Sequence, residues 1–112
     1  MEYADGTSAR AKDGTPLPVG PVLYASSKYI SGSCASENKD FMACKASNGD
    51  PKACMSQGQA VIRCVNSILT KVDSACPKEL TAFSVCLDTH ANKFEECRKE
   101  QSAFEGCAGA PY

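Results

Sequence analysis

Eight cysteines at a nearly constant interval constrain this chain more than anything else in it. They stand at Cys34, Cys44, Cys54, Cys64, Cys76, Cys86, Cys97 and Cys107. Taken in successive pairs they form four copies of C-x9-C. Eight cysteines allow 105 pairings in principle, and helix geometry removes nearly all of them. Ten residues of α-helix advance about 15 Å and return to within about 80° of the starting direction. The two cysteines of a pair therefore lie on one face, too far apart to bond to each other, because a disulfide needs Cα atoms about 4.4–6.8 Å apart. Each pair must bond to a second helix. In an antiparallel hairpin, equal spacing on both arms aligns two rungs. The expected rungs are Cys44–Cys54 and Cys34–Cys64 in a first hairpin, and Cys86–Cys97 and Cys76–Cys107 in a second. A parallel pairing of Cys34 with Cys54 would require the short link after Cys44 to run back a full helix length.

The residues between the cysteines read as helices. The first segment runs from about Ala35 to Ser47. "NGDP" at Asn48–Pro51 is a turn, with Asp50 as N-cap and Pro51 at the first helical position. The second segment, Pro51 to about Val72, carries Cys54, Val61, Val65, Ile68 and Val72 on one face, and Gly58 weakens it. The third starts near Ser74 with Pro77 in its first turn and carries Leu80, Phe83 and Leu87. "DTHAN" at Asp88–Asn92 is the next turn, where Asn92 and Glu95 resemble a capping box. The fourth, about Lys93–Gly106, places Phe94, Cys97, Gln101 and Phe104 on one face. An i,i+4 pair, Glu95–Lys99, lies on its wet side. Upstream, Pro21 suits a helix start, "VLYASSKYI" forms a short helix, and Ser31–Ser33 breaks it. The expected fold class is all-α: two disulfide-stapled antiparallel helical hairpins behind an extended N-terminal segment. Residues 1–33 form an arm with a short helix, 34–73 the first hairpin, and 74–112 the second hairpin and a short tail.

All four phenylalanines, Phe41, Phe83, Phe94 and Phe104, precede a cysteine by three positions, and Val61 precedes Cys64 in the same way. A residue at i−3 shares the cysteine's face, so each is expected to pack beside a rung. The same offset suits a recognition side chain for an oxidising enzyme. The two roles are compatible, since a ring can first dock on an oxidase and later be buried.

Composition narrows the function. A chain of 112 residues with no Trp has a thin core, for which covalent staples compensate. The net charge is −1 and the basic residues are dispersed, which argues against nucleic-acid binding. "MEYADGTSARAKDG" has no apolar h-region and mixes acidic with basic residues, unlike a secretory signal or a mitochondrial presequence. No run approaches the roughly 18 apolar residues of a membrane span. Many cysteines without a secretory signal leave two compartments open: the cytosol with metal-bound thiols, or the mitochondrial intermembrane space with disulfides.

The chemistry-bearing motifs are few. There is no C-x2-C or H-x3-H chelate, no vicinal cysteine pair for copper transfer, and no C-x-x-C redox pair. His90, the single histidine, sits in a turn near Asp88 and reads as a solvated residue without a nucleophile to serve. Glu95, Glu96 and Glu100 read as a solvated face beside Arg98 and Lys99. No nucleotide fingerprint or nucleophile elbow is present. The sequence points to no catalytic residue, metal site or cofactor.

With these residues in view, the chain resembles the twin C-x9-C, or coiled-coil–helix–coiled-coil–helix (CHCH), proteins of the mitochondrial intermembrane space. The doubled unit, with "NKDFMAC", "DPKACMSQGQAVIRC" and "CRKEQSAFEGC", looks like the alpha-subcomplex subunit 8 (PGIV) family of NADH:ubiquinone oxidoreductase, respiratory complex I. The resemblance covers Cys34–Cys107 and extends loosely through "PVLYASSKYI". It implies a non-catalytic accessory subunit, peripheral to the inner membrane on its intermembrane-space side. The implied partners are other complex I subunits and, during import, the disulfide-relay oxidase of that compartment. The family's pairing agrees with the four rungs above. The alternatives are a soluble intermembrane-space assembly factor or metal-delivery protein, and a reduced cytosolic zinc module.

Overall fold

The computed structural model describes residues 20–110. Six α-helices follow in order: α1 (Gly20–Ala25), α2 (Ser27–Ser33), α3 (Ala35–Ser47), α4 (Met55–Ala75), α5 (Pro77–Thr89) and α6 (Arg98–Ala108). Short 3₁₀ turns at Pro51–Cys54 and Phe94–Glu96 lead into α4 and α6. No strand occurs among the described residues. Helices α3 and α4 form one antiparallel hairpin, and α5 and α6 the other. Helix α1 packs on α5, and α2 on α4.

The cysteines themselves set the helix boundaries. Cys34, Cys54, Cys76 and Cys97 occupy the N-cap positions of α3, α4, α5 and α6, with non-helical backbone at each. Three of them also close the preceding element. Their N–H groups bond Ile30 O at 2.8 Å, Val72 O at 2.9 Å and Phe94 O at 3.0 Å, while their carbonyls accept from Asn38, Leu80 and Gln101. None makes a side-chain cap. A cysteine is not a capping residue by propensity, so the disulfide fixes the position of each helix start without accepting from its first N–H groups.

This moves several boundaries. The third helix does not begin near Ser74: α4 continues to Ala75 and α5 starts at Pro77. Helical backbone is disfavoured for the residue before a proline, and Cys76, at φ −139° and ψ 59°, is that residue. The fourth segment is two elements, because Cys97 (φ −125°) interrupts it. Phe94 thus sits in the 3₁₀ turn and not on α6. The Asn92–Glu95 capping box does not form. Ala91 and Asn92 take left-handed backbone, φ 54° and 62°, which asparagine tolerates, and Lys93 takes the cap position without a side-chain bond. Asp50 does cap: its Oδ1 accepts from Lys52 N–H at 3.0 Å.

The N-terminal segment is already broken at Ser26, and its second piece, α2, runs through Ser31 and Gly32 to end at Ser33. Ser26 N–H bonds Val22 O, and its carbonyl accepts from Tyr29 and Ile30, all at 3.0 Å. The kink lets Val22, Ala25 and Tyr29 all be buried. Gly32 stays inside α2 at a cost of about 1 kcal/mol, less than the burial of Tyr29 returns. Expectations placed on residues 1–19 lie outside the described residues.

The core lies among the helix ends and the second hairpin. Ala25, Tyr29, Cys34, Ile68, Val72, Cys76, Leu80, Phe83, Leu87, Cys97 and Phe104 form one buried cluster. Val22 and Leu69 form a smaller one beside Val65 and Val85. Residues 20–33 therefore contribute to the same core as both hairpins.

Candidate functional site

The chemistry of this chain is concentrated in its four disulfides. Cys34–Cys64 and Cys44–Cys54 join α3 to α4 and the turn before it, with Cα–Cα distances of 5.9 Å each. Cys76–Cys107 (6.1 Å) and Cys86–Cys97 (6.0 Å) do the same for the second hairpin. All eight cysteines are bonded. The inner rungs have sequence separations of 10 and 11, the outer ones 30 and 31. On the chain-entropy account these restrict the unfolded chain by about 2.7 and about 3.7 kcal/mol per rung respectively.

Each rung has the same asymmetry. One sulfur belongs to a buried N-cap cysteine, Cys34, Cys54, Cys76 or Cys97. The other belongs to a helix-interior cysteine that is half-buried (Cys44, Cys64, Cys86) or exposed (Cys107). That second sulfur approaches the carbonyl just before its partner: Ala53 O at 3.7 Å, Ser33 O at 3.8 Å, Glu96 O at 3.7 Å and Ala75 O at 3.7 Å. A disulfide sulfur carries no proton, so these are packing contacts and not hydrogen bonds.

The residues expected beside the rungs fall into two groups. Phe83 and Phe104 are fully buried. With Tyr24, Tyr29 and Phe94 they form a series of packed rings, edge-on except for the tilted Phe83–Phe104 pair: Tyr29–Phe104 at 5.6 Å, then Phe104–Phe83, Phe83–Phe94 and Phe94–Tyr24, each at 6.1 Å between ring centres. Such pairs add about 0.5–1.5 kcal/mol each beyond area burial. The Tyr29 hydroxyl at one end donates to Gly109 O at 2.7 Å. Phe41 and Val61, in the first hairpin, are only half-buried. Phe41 lies over Gly58, where an added Cβ would sit 3.3 Å from its Cε1. Gly58 thus gives the ring its seat, a reason the sequence alone does not show. The Lys45 ammonium stands over the Phe41 ring, 5.3 Å from its centre.

His90 is exposed at the end of α5. Its Nδ1 donates to Cys86 O at 2.9 Å and lies 3.6 Å from Cys86 Sγ. Cys86, His90 and Cys97 bring potential ligand atoms within 4.8 Å of one another, as do Cys76, Glu79 and Cys107. With the rungs closed, neither set offers a thiolate. The sequence signal for the first set was the C-x3-H spacing, one helical turn. A groove of about 500 Å³ runs beside Cys64 and is lined by Glu37, Arg63, Ser67, Ile68 and Lys71 among others. Among the described residues, its lining brings the carboxylate of Glu37 together with the cations Arg63 and Lys71. No helix is long and apolar enough to cross a membrane among the described residues.

No protein-family model matches the chain. It is 44% identical over 97 residues to NADH dehydrogenase (ubiquinone) 1 alpha subcomplex subunit 8-A of Arabidopsis thaliana, covering 85% of this chain and 90% of that protein. It is 39% identical to subunit 8-B of the same plant, covering 88% and 93%. A 20.8 kDa subunit of NADH-ubiquinone oxidoreductase from Neurospora crassa is 26% identical over 87 residues, and the chain spans 48% of it.

Proposed function

The chain belongs to the alpha subcomplex subunit 8 family of mitochondrial NADH dehydrogenase (ubiquinone), and from that membership we propose a structural clamp on the intermembrane-space face of complex I. It is an accessory subunit of that complex. The observation that carries the reading is the identity to the two plant subunits over most of both chains. In this reading the subunit has no active site of its own. The four rungs form on import by exchange with the disulfide-relay oxidase, and the two rigid hairpins then lie against membrane-arm subunits as a peripheral element.

Surface composition supports docking by the first hairpin. Of the four large exposed apolar residues among the described residues, Met42, Met55 and Ile62 belong to α3 and α4. Met55 and Ile62 are two turns apart on one face of α4. Residues 20–33 are committed to the core, so within this proposal the contact of the arm with neighbouring subunits is assigned to residues 1–19.

A native gel of gently solubilised mitochondrial membranes tests this. The chain should co-migrate with the large band that stains for NADH dehydrogenase activity. Its confinement to small soluble species would support an assembly factor instead. Deleting residues 1–19 should loosen assembly while leaving all four rungs oxidised; complex stability unchanged by the deletion would remove the clamping role of that segment.

A further inference from the structure

We infer that opening the Cys86–Cys97 rung creates a three-ligand site for a divalent transition-metal ion, with zinc the best fit, formed by Cys86, His90 and Cys97. The inference is independent of the subunit's place in complex I.

The geometry is nearly built. Tetrahedral zinc with Zn–S of about 2.3 Å and Zn–N of about 2.05 Å requires a sulfur-to-nitrogen edge of about 3.6 Å. Cys86 Sγ and His90 Nδ1 are 3.6 Å apart. The third ligand atom lies within 4.8 Å of both. Once the bond is broken, the two sulfurs must separate to about 3.8 Å, the sulfur-to-sulfur edge of the same tetrahedron. That is less than 1 Å of movement for each. His90 is exposed, so an ion reaches the site from solvent, and the fourth position stays open to water.

Packing keeps the ligands together without the bond. Phe83 and Leu87 are buried on the α5 side, and Phe94, from the turn that leads into Cys97, packs on Phe83 with ring centres 6.1 Å apart. Among the described residues, only the two rungs of the second hairpin have a third ligating group beside them. Cys76–Cys107 has the carboxylate of Glu79, a poorer match to zinc in a thiolate site than an imidazole.

The chemistry balances with a small dithiol as reductant. One of its thiolates attacks the half-buried Cys86 Sγ and expels Cys97 as a thiolate at the N-terminus of α6, where the helix dipole favours it. The second thiol of the reagent then displaces Cys86 and closes the reagent's own disulfide, so two electrons pass to the protein. Zinc binds both sulfurs as thiolates, and the thiol protons are released. Ligation by Nδ1 requires the tautomer protonated at Nε2 and exchanges the bond to Cys86 O for a metal bond.

The test uses the full chain assembled synthetically with photolabile protection on Cys86 and Cys97. The other six cysteines are oxidised, their pairing is checked by mass mapping, and light then frees the two thiols. Cobalt(II), displaced afterwards by zinc, reports thiolate number through its sulfur-to-metal charge-transfer band. One cobalt per chain with two-thiolate intensity is expected, and binding should weaken at least tenfold in H90Q while E79Q leaves it unchanged. His90 lies outside the core, so H90Q does not threaten the fold. A parallel chain freed at Cys44 and Cys54, which have no third ligand beside them among the described residues, should bind at least tenfold more weakly. Equal affinity in the two chains, or no effect of H90Q, would overturn the site.

Discussion

The two hairpins carry the same cysteine spacing and the same rung geometry, yet they are held together differently. In the second, α5 and α6 bury Leu80, Phe83, Leu87 and Phe104, and helix α1 covers α5 from outside. In the first, α3 buries no residue at all, and Phe41 rests half-exposed on Gly58. Cα separations across the rungs differ by no more than 0.2 Å between the two units (5.9 and 5.9 Å against 6.1 and 6.0 Å). Cysteine spacing therefore dictates that a hairpin forms, and apolar burial dictates whether it persists without its rungs. A docking surface has a different requirement, and the thin hairpin is the one that leaves Met42, Met55 and Ile62 exposed.

The comparison can be broken most sharply at the equivalent phenylalanines. F83A removes a buried ring that touches two others and should cost about 3–5 kcal/mol in denaturant unfolding. F41A, losing a half-buried ring, should cost less than half as much; equal costs would erase the distinction between the hairpins. Next in size are the inner rungs. C44S/C54S and C86S/C97S should each cost about 2.7 kcal/mol by loop entropy. Only the former should abolish amide protection in α3, while the latter should leave α5 protected. A smaller effect tests the seat of Phe41. G58A alone should give no net gain, because the added methyl presses on the ring and offsets the helix preference of about 1 kcal/mol. In an F41A background the same substitution should stabilise by about that amount, so a double-mutant cycle reads the contact directly. The smallest belongs to the exposed Lys28–Glu105 pair, 3.5 Å apart between α2 and α6. K28A should change stability by less than about 0.5 kcal/mol, as its Tm will show.

Much of this arrangement is legible in the chain. Equal ten-residue intervals announce helices in antiparallel pairs, and the Leu80–Phe83–Leu87 stripe marks a buried face. Other features are hidden for physical reasons. Cysteine has no capping propensity, so nothing marks Cys34, Cys54 and Cys97 as helix starts except the bond each makes to another helix; Cys76 is marked only by Pro77 after it. The kink at Ser26 follows from the need to bury Val22 and Tyr29 together, a tertiary demand invisible in "VLYASSKYI". Gly58 reads as a defect in a helix until the Phe41 ring is seen above it. His90 reads as a solvated turn residue because its nearness to Cys97 depends on the rung and not on sequence distance.

Hydrogen exchange read by mass spectrometry, on the full chain before and after complete reduction in native buffer, tests the central claim most directly. The account predicts that reduction removes protection from α3 and the N-terminal half of α4, while α5, α6 and the C-terminal half of α4 keep a substantial part of theirs. Equal loss of protection in both hairpins would contradict it, and would make the four rungs, not the aromatic core, the common support of the whole fold.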